Sequence, residues 1–198
     1  QMPIAVDKPP IQPAGYAFSI WGVIYLWLLA SAGFGLIRRD TAPDWDDARW
    51  PLFASLAIGA GWIAVALSAP VMATILIWAM LAGAVWALMR APARDRAWFA
   101  MPVGLYAGWL TAASCVAFGT VAIGYGWGSE MALSWIMLLV ALGLAVALSL
   151  RLRVATYPIA VAWALVGVVV ANGLGAFGIA AGLGALALLA LALRQAKG

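Results

Sequence analysis

Seven stretches of this chain, each of roughly membrane-crossing length, contain no Asp, Glu, Lys, Arg or His. They run from about Tyr16 to Ile37, Trp50 to Ser68, Val71 to Met89, Trp98 to Gly124, Met131 to Leu150, Thr156 to Ala171 and Leu174 to Leu193. A hydrocarbon core about 30 Å thick takes about 20 residues of helix, and only the sixth stretch is short for that. The runs are continuously apolar and rich in Ala and Leu, without the alternation of barrel strands. With 67% hydrophobic residues, 9% charged residues and a mean hydropathy of +1.04, the chain holds more apolar surface than a soluble body of 198 residues can cover. The expected fold is therefore an all-α polytopic transmembrane bundle of seven helices.

The cations test that count independently. Alternating the seven spans places Arg38, Arg39, Arg49, Arg90, Arg94, Arg96, Arg151, Arg153, Arg194 and Lys197 on one side, leaving only Lys8 of the eleven on the other. Positive charge collects on the cytoplasmic side of inserted helices, so the N-terminus is expected outside and the C-terminus in the cytoplasm. The Ala/Leu/Arg-rich, lysine-poor composition points to a bacterial cytoplasmic membrane. Asp40, Asp44, Asp46, Asp47 and Asp95 share the inner loops with the arginines and read as a solvated, mixed-charge surface. Trp45, Trp50 and Trp98 at that end, and Trp127 and Trp135 at the other, are expected as interfacial belt anchors.

Composition also narrows function. A single cysteine, Cys115, excludes an internal disulfide and a cysteine-built metal site, and the absence of histidine excludes histidine-ligated haem. The +4 charge is scattered over loops and forms no stripe for nucleic acid. Pumps and ion-coupled carriers place an ionisable group at depth, and these spans hold none. Nor do they offer a general acid, a general base or a nucleophile with a base beside it.

What remains at depth is aromatic: Trp27, Trp62, Trp78, Trp109 and Trp163, with Trp21 and Tyr25 in the outer half of the first span. Every indole N–H and phenol O–H there needs a partner that acyl chains do not supply. Trp21 and Tyr25, at i and i+4, share a helix face, as do Tyr106 and Trp109 at i and i+3. Two such faces on different helices make the walls of a slot for a flat apolar molecule; they equally fill a core, and both readings stay open. Gly104-x-x-x-Gly108, Gly178-x-x-x-Gly182 and Ser55-x-x-x-Gly59 are small-residue spacings that let helices approach closely, expected here to serve packing within the bundle.

The segment Pro13-Ala-Gly-Tyr-Ala-Phe-Ser-Ile-Trp21-Gly-Val-Ile-Tyr25 resembles the start of the second helix of the translocator protein family, the tryptophan-rich sensory proteins. There a Pro-rich lead-in precedes Trp-x-x-Leu/Ile-Tyr. Pro102-Val-Gly-Leu-Tyr106-Ala-Gly-Trp109-Leu-Thr-Ala-Ala113 is similar to that family's fifth helix. Gly61-Trp62 looks like the Gly-Trp opening of a middle helix, and two helices separate the two outer motifs as they do in the family. The resemblance covers about Ile11 to Val121. Three features depart from the pattern. Phe18-Ser19 stands where the family has Gly-Pro, and Ala117 stands where an Asn is expected eight residues after Trp109. The family's first helix has no counterpart and would precede Gln1, while three further helices follow Val121. No Lys or Arg follows Tyr106 before Arg151, so the family's cholesterol-recognition pattern is not expected.

The resemblance implies a pocket for porphyrins, sterol-like lipids or drug-like aromatics, closed by the loop Asp7 to Pro13. The expected division is an outer N-terminal segment or lid over residues 1–15, a TspO-like four-helix region over 16–124, and three additional helices with a cytoplasmic tail over 125–198. The expected function is a non-enzymatic membrane protein that binds a flat hydrophobic ligand for sensing, sequestration or transfer. That ligand is a tetrapyrrole or a lipid held non-covalently, with no obligatory cofactor. Trp21, Tyr25, Trp62, Tyr106 and Trp109 are the expected walls, with no catalytic or metal-binding residue. The alternative is a structural accessory subunit of a pigment or respiratory complex, its aromatics packed against partner membrane proteins. Membrane lipids and a hydrophobic small molecule are the expected partners, and nucleic acid is not.

Overall fold

The computed structural model of the chain describes residues 2–197. A 3₁₀ turn, Gly15–Ser19, leads into α1 (Ile20–Arg38), α2 (Pro43–Ser68), α3 (Pro70–Met89), α4 (Ala100–Gly124), α5 (Glu130–Leu152), α6 (Thr156–Asn172) and α7 (Ala176–Lys197). The described residues thus form seven α-helices and no strand, an all-α polytopic bundle. Six of the helices are long and apolar enough to cross a membrane. With 17 residues, α6 reaches only about 25 Å. Most of its surface is buried against α4, α7 and the 3₁₀ turn.

Local chemistry sets the helix ends. Pro70 opens α3 after the single residue Ala69, because a proline in the first turn gives up an N–H that has no helical acceptor there. Gly173, at φ +66°, stops α6 in a conformation glycine adopts freely. Ser129 caps α5 by accepting from the Ala132 N–H at 3.3 Å, and Glu130 follows in the positive first turn.

One boundary differs from the sequence expectation. Helix α2 begins at Pro43 and not near Trp50, with Asp44 and Asp46 in its first turn, where carboxylates favour the helix dipole. The extra two turns carry Trp45 inward. Instead of anchoring an interfacial belt, its ring is 2% exposed, 5.1 Å from Phe99 and 5.8 Å from Phe34. The Arg49 guanidinium lies 5.6 Å over it. Trp50, Trp98 and Trp127 do stand exposed at the bundle ends.

Helix α4 is the axis of the bundle, buried over most of its length against α1, α3, α5 and α6. The small-residue spacings lie at helix crossings within it. A Cβ at Gly104 would sit 2.6 Å from Thr156 Oγ1, and one at Gly108 would press on the Tyr157 carbonyl of α6. At the α2–α3 crossing, Ser55 donates to the Met80 carbonyl at 2.7 Å, and a Cβ on Gly59 would meet Met80 Cε at 2.9 Å. Gly178 lies against the Gly173 carbonyl at the α6–α7 turn. Packing does not pause at Gly124: Tyr157, Ala160 and Ala164 of α6 join the core of α1 to α4, and Cys115 of α4 joins the core of α5 to α7.

The two ends of the bundle are chemically distinct. At one, Arg39 pairs with Asp95 at 2.7 Å, Arg94 with Asp44 at 2.8 Å, and Arg96 donates to the Arg153 carbonyl at 2.7 Å. At the other, the N-terminal segment is strapped across the helix ends. The Ile4 N–H donates to the Gly124 carbonyl at 3.0 Å, Asn172 donates to the Pro10 carbonyl at 2.8 Å, and the Ala14 N–H donates to the Gly167 carbonyl at 2.9 Å.

The hydrogen bond from Arg39, reinforced by its charge, holds the Asp95 carboxyl below the usual carboxylate range despite partial burial. Because the folded value is the lower one, this pair contributes fully above the unfolded carboxylate value of about 4 and is lost as pH falls through the folded value. Asp95→Asn keeps the left-handed backbone at this position (φ +60°), which Asn tolerates. Its unfolding midpoint, followed by circular dichroism in detergent, is expected to fall less steeply below about pH 4 than that of the parent. Parallel acid limbs would show that the pair contributes nothing.

Candidate functional site

Hydrocarbon offers no hydrogen bonds, so polar groups of the spans need partners within the protein, and several find them. The Tyr106 hydroxyl lies 3.0 Å from Ser55 Oγ, the Tyr157 hydroxyl lies 2.8 Å from Thr111 Oγ1, and Trp163 donates to the Ala17 carbonyl at 2.9 Å. Trp62 donates to the Ala73 carbonyl at 2.8 Å. Trp109, like Trp45, Ser134 and Ser149, is a buried side chain left without a partner. It is 2% exposed, and its indole N–H is buried with no acceptor.

Trp109 and Trp62 face each other across a cavity of about 150 Å³. One wall is a single face of α4: Ala112, Ala113, Val116 and Ala117 follow Trp109 at the i+3, i+4, i+7 and i+8 positions. Trp62 of α2 and Ile77 of α3 form the opposite wall, and Pro13 and Phe18 close the end. Phe18 sets its ring edge-on to Trp109, 5.5 Å between centroids at 85°. Pro13 is held by the neighbouring Ala14–Gly167 hydrogen bond and packs where a Cβ on Gly167 would come within 2.8 Å of it.

The five residues singled out by sequence form one connected group, with different parts in it. Trp62 and Trp109 line the cavity. Behind Trp109, Trp21 packs edge-on at 6.3 Å and 81°, and Tyr106 lies 6.2 Å from Trp21. Tyr25 stacks on the far side of Trp21 at 5.1 Å, stands 55% exposed and lies outside the cavity lining. Ala117, where the resembled family has Asn, does line the cavity, which makes that wall apolar. Sequence reasoning missed Phe18 and Ile77. The Pro-rich lead-in pointed toward Phe18, whereas nothing in the sequence distinguishes Ile77 from other apolar residues of α3.

The cavity can hold a small flat apolar molecule against an almost wholly apolar lining. Its volume resembles that of protein cavities that accept benzene, and falls below the roughly 300–1,000 Å³ of drug-sized pockets. A larger cleft of about 410 Å³ lies between α1 and α2 at the arginine-rich end, lined by Leu28, Gly35, Trp45 and Arg49 among others. It contains none of the five aromatics.

Fold and cavity together define a polytopic helical membrane protein with an aromatic chamber beneath a strapped N-terminal segment. The chain matches the family model described as TSPO-like protein over residues 6–194, and it belongs to that family. The match runs through α5, α6 and α7 as well as the four helices that carry the aromatic motifs. Comparison with curated proteins and with solved structures finds no match.

Proposed function

We propose that this TSPO-like protein takes a flat hydrophobic ligand into the Trp62/Trp109 cavity, for sensing, sequestration or transfer, and catalyses no reaction. The observation that carries the reading is an apolar cavity of about 150 Å³ between Trp62 and Trp109, beneath Pro13 and Phe18. An apolar ring seated there gains dispersion contacts that an unfilled cavity forgoes. One or two fused rings suit the space as it stands. A tetrapyrrole, several times larger, requires Pro13 and Phe18 to swing aside. The non-enzymatic reading draws support from Cys115, which is 1% exposed in an apolar core and has no base among its packing neighbours. We place the arginine-rich end in the cytoplasm of a bacterial cell, and the N-terminal strap on the outer face of the cytoplasmic membrane.

Titration of the purified protein with indole and with protoporphyrin, read by tryptophan fluorescence, tests the site. Ala113→Leu fills the chamber and is expected to weaken binding by about a hundredfold while leaving helical content unchanged, since the added volume clashes only with a bound ligand. Binding undiminished in Ala113→Leu would remove the cavity from consideration. A stable complex with partner membrane proteins in mild detergent, with no ligand bound, would point to an accessory subunit instead.

A further inference from the structure

Of the five arginines that precede Arg96, three have acidic partners. Arg39, Arg49 and Arg94 each pair with an aspartate, and all three pairs lie where α1, α2 and the α3–α4 loop meet. From Arg96 onward the sequence holds Arg151, Arg153, Arg194 and Lys197 at the same end but only one acid, Glu130, which opens α5 at the opposite end. Arg96, Arg153 and Arg194 come from three separate elements: the α3–α4 loop, the end of α5, and the last turn of α7. They line a single pocket of about 530 Å³ with Leu150, Leu191 and Gln195. Topology asks only that cations lie at one end of the spans. It does not ask that three guanidiniums converge on one pocket without a carboxylate among the described residues.

The Gln195 side-chain N–H donates to the Ser149 carbonyl at 2.8 Å, which ties the last turn of α7 to α5 beside the guanidiniums. The site therefore presents guanidinium forks, which match phosphate oxygens. Its apolar residues, Leu150 and Leu191, belong to the membrane-facing helices α5 and α7. A soluble anion has no use for an apolar wall at this depth, whereas a phospholipid places its phosphate and its acyl chains in this relation.

We propose that this pocket is a binding site for the phosphate-bearing headgroup of an anionic phospholipid. Arg153 and Arg194 hold the phosphate, and Leu150 and Leu191 pack on the chains. Arg96, tied to the Arg153 carbonyl, keeps the α3–α4 loop against the site. Basic pockets between membrane helices bind anionic headgroups in this way. The proposal is independent of the aromatic cavity, which lies beneath the strap at the other end.

The test compares lipid retention by native mass spectrometry after extraction from nanodiscs of equal parts phosphatidylglycerol and phosphatidylcholine. The parent protein is expected to retain phosphatidylglycerol preferentially. Arg153→Gln/Arg194→Gln is expected to lose that preference by roughly tenfold or more, from two cations that each contribute near a membrane surface. The control Arg38→Gln/Arg90→Gln removes the same charge elsewhere at that end and is expected to change it less than about twofold. Absence of preference in the parent overturns the proposal whatever the variants do. Equal losses in both double variants reduce it to general surface charge and overturn it too. Displacement of the retained lipid by millimolar inorganic phosphate would identify a free-anion site and overturn the lipid assignment.

Discussion

Gly108→Ala is expected to destabilise the protein by about 3 kcal/mol, at the upper end of what an overpacked core methyl does, lowering its unfolding midpoint by roughly 10 °C. The added Cβ has nowhere to go. It would press on the Tyr157 carbonyl and lie 2.9 Å from Ala160 Cβ, both on α6. Backbone cannot rotate away as a flexible side chain can, so α4 and α6 must separate, and with them the layers on either side of the axial helix. Gly143→Ala is the control. It lies in the interior of α5 and meets nothing within 4 Å, so it is expected to leave stability unchanged or raise it by up to about 1 kcal/mol through helix propensity. Thermal unfolding of both variants in one detergent decides the matter. Similar midpoints would mean that the α4–α6 crossing is not the tight contact described.

Two substitutions at Trp109 are expected to act in opposite directions on stability. Trp109→Ala removes a buried ring packed against Phe18 and Trp21 and is expected to destabilise by about 4 kcal/mol. Trp109→Phe keeps most of the packing and deletes the orphaned donor, so it is expected to stabilise the ligand-free protein by about 1 kcal/mol. The same change trims the aromatic wall of the chamber, so affinity for a flat ligand is expected to fall even as stability rises. A stabilised variant with undiminished affinity would show that the Trp109 ring is not part of the ligand's wall. A destabilised one would show that the indole is already satisfied.

Much of the fold was legible because crossing hydrocarbon is a local property. Whether a run of about 20 residues can lie in lipid depends on its own side chains, so the span limits agree with the helix ends to within a few residues. The exception, α2, began earlier for a reason of the same local kind: Pro43 with Asp44 and Asp46 is a helix start that an apolar-run criterion overlooks. Trp45 was misplaced along with it. The candidate site was only half legible. Helical spacing put Trp21 with Tyr25 and Tyr106 with Trp109, since i+3 and i+4 neighbours share a face whatever surrounds them. It did not reveal that Tyr25 faces away from the chamber, or that Ile77 faces into it.

The amino-acid sequence alone therefore determined the number of helices, their apolar character and the end at which the cations gather. Those properties follow from solvation of each segment by itself. The tertiary structure decided that Phe18, Trp62 and Trp109 surround one chamber, and that Arg96, Arg153 and Arg194 surround another. Each set joins residues far apart in the chain, and its meeting depends on which helices adjoin and how closely the glycines of α4 let them come.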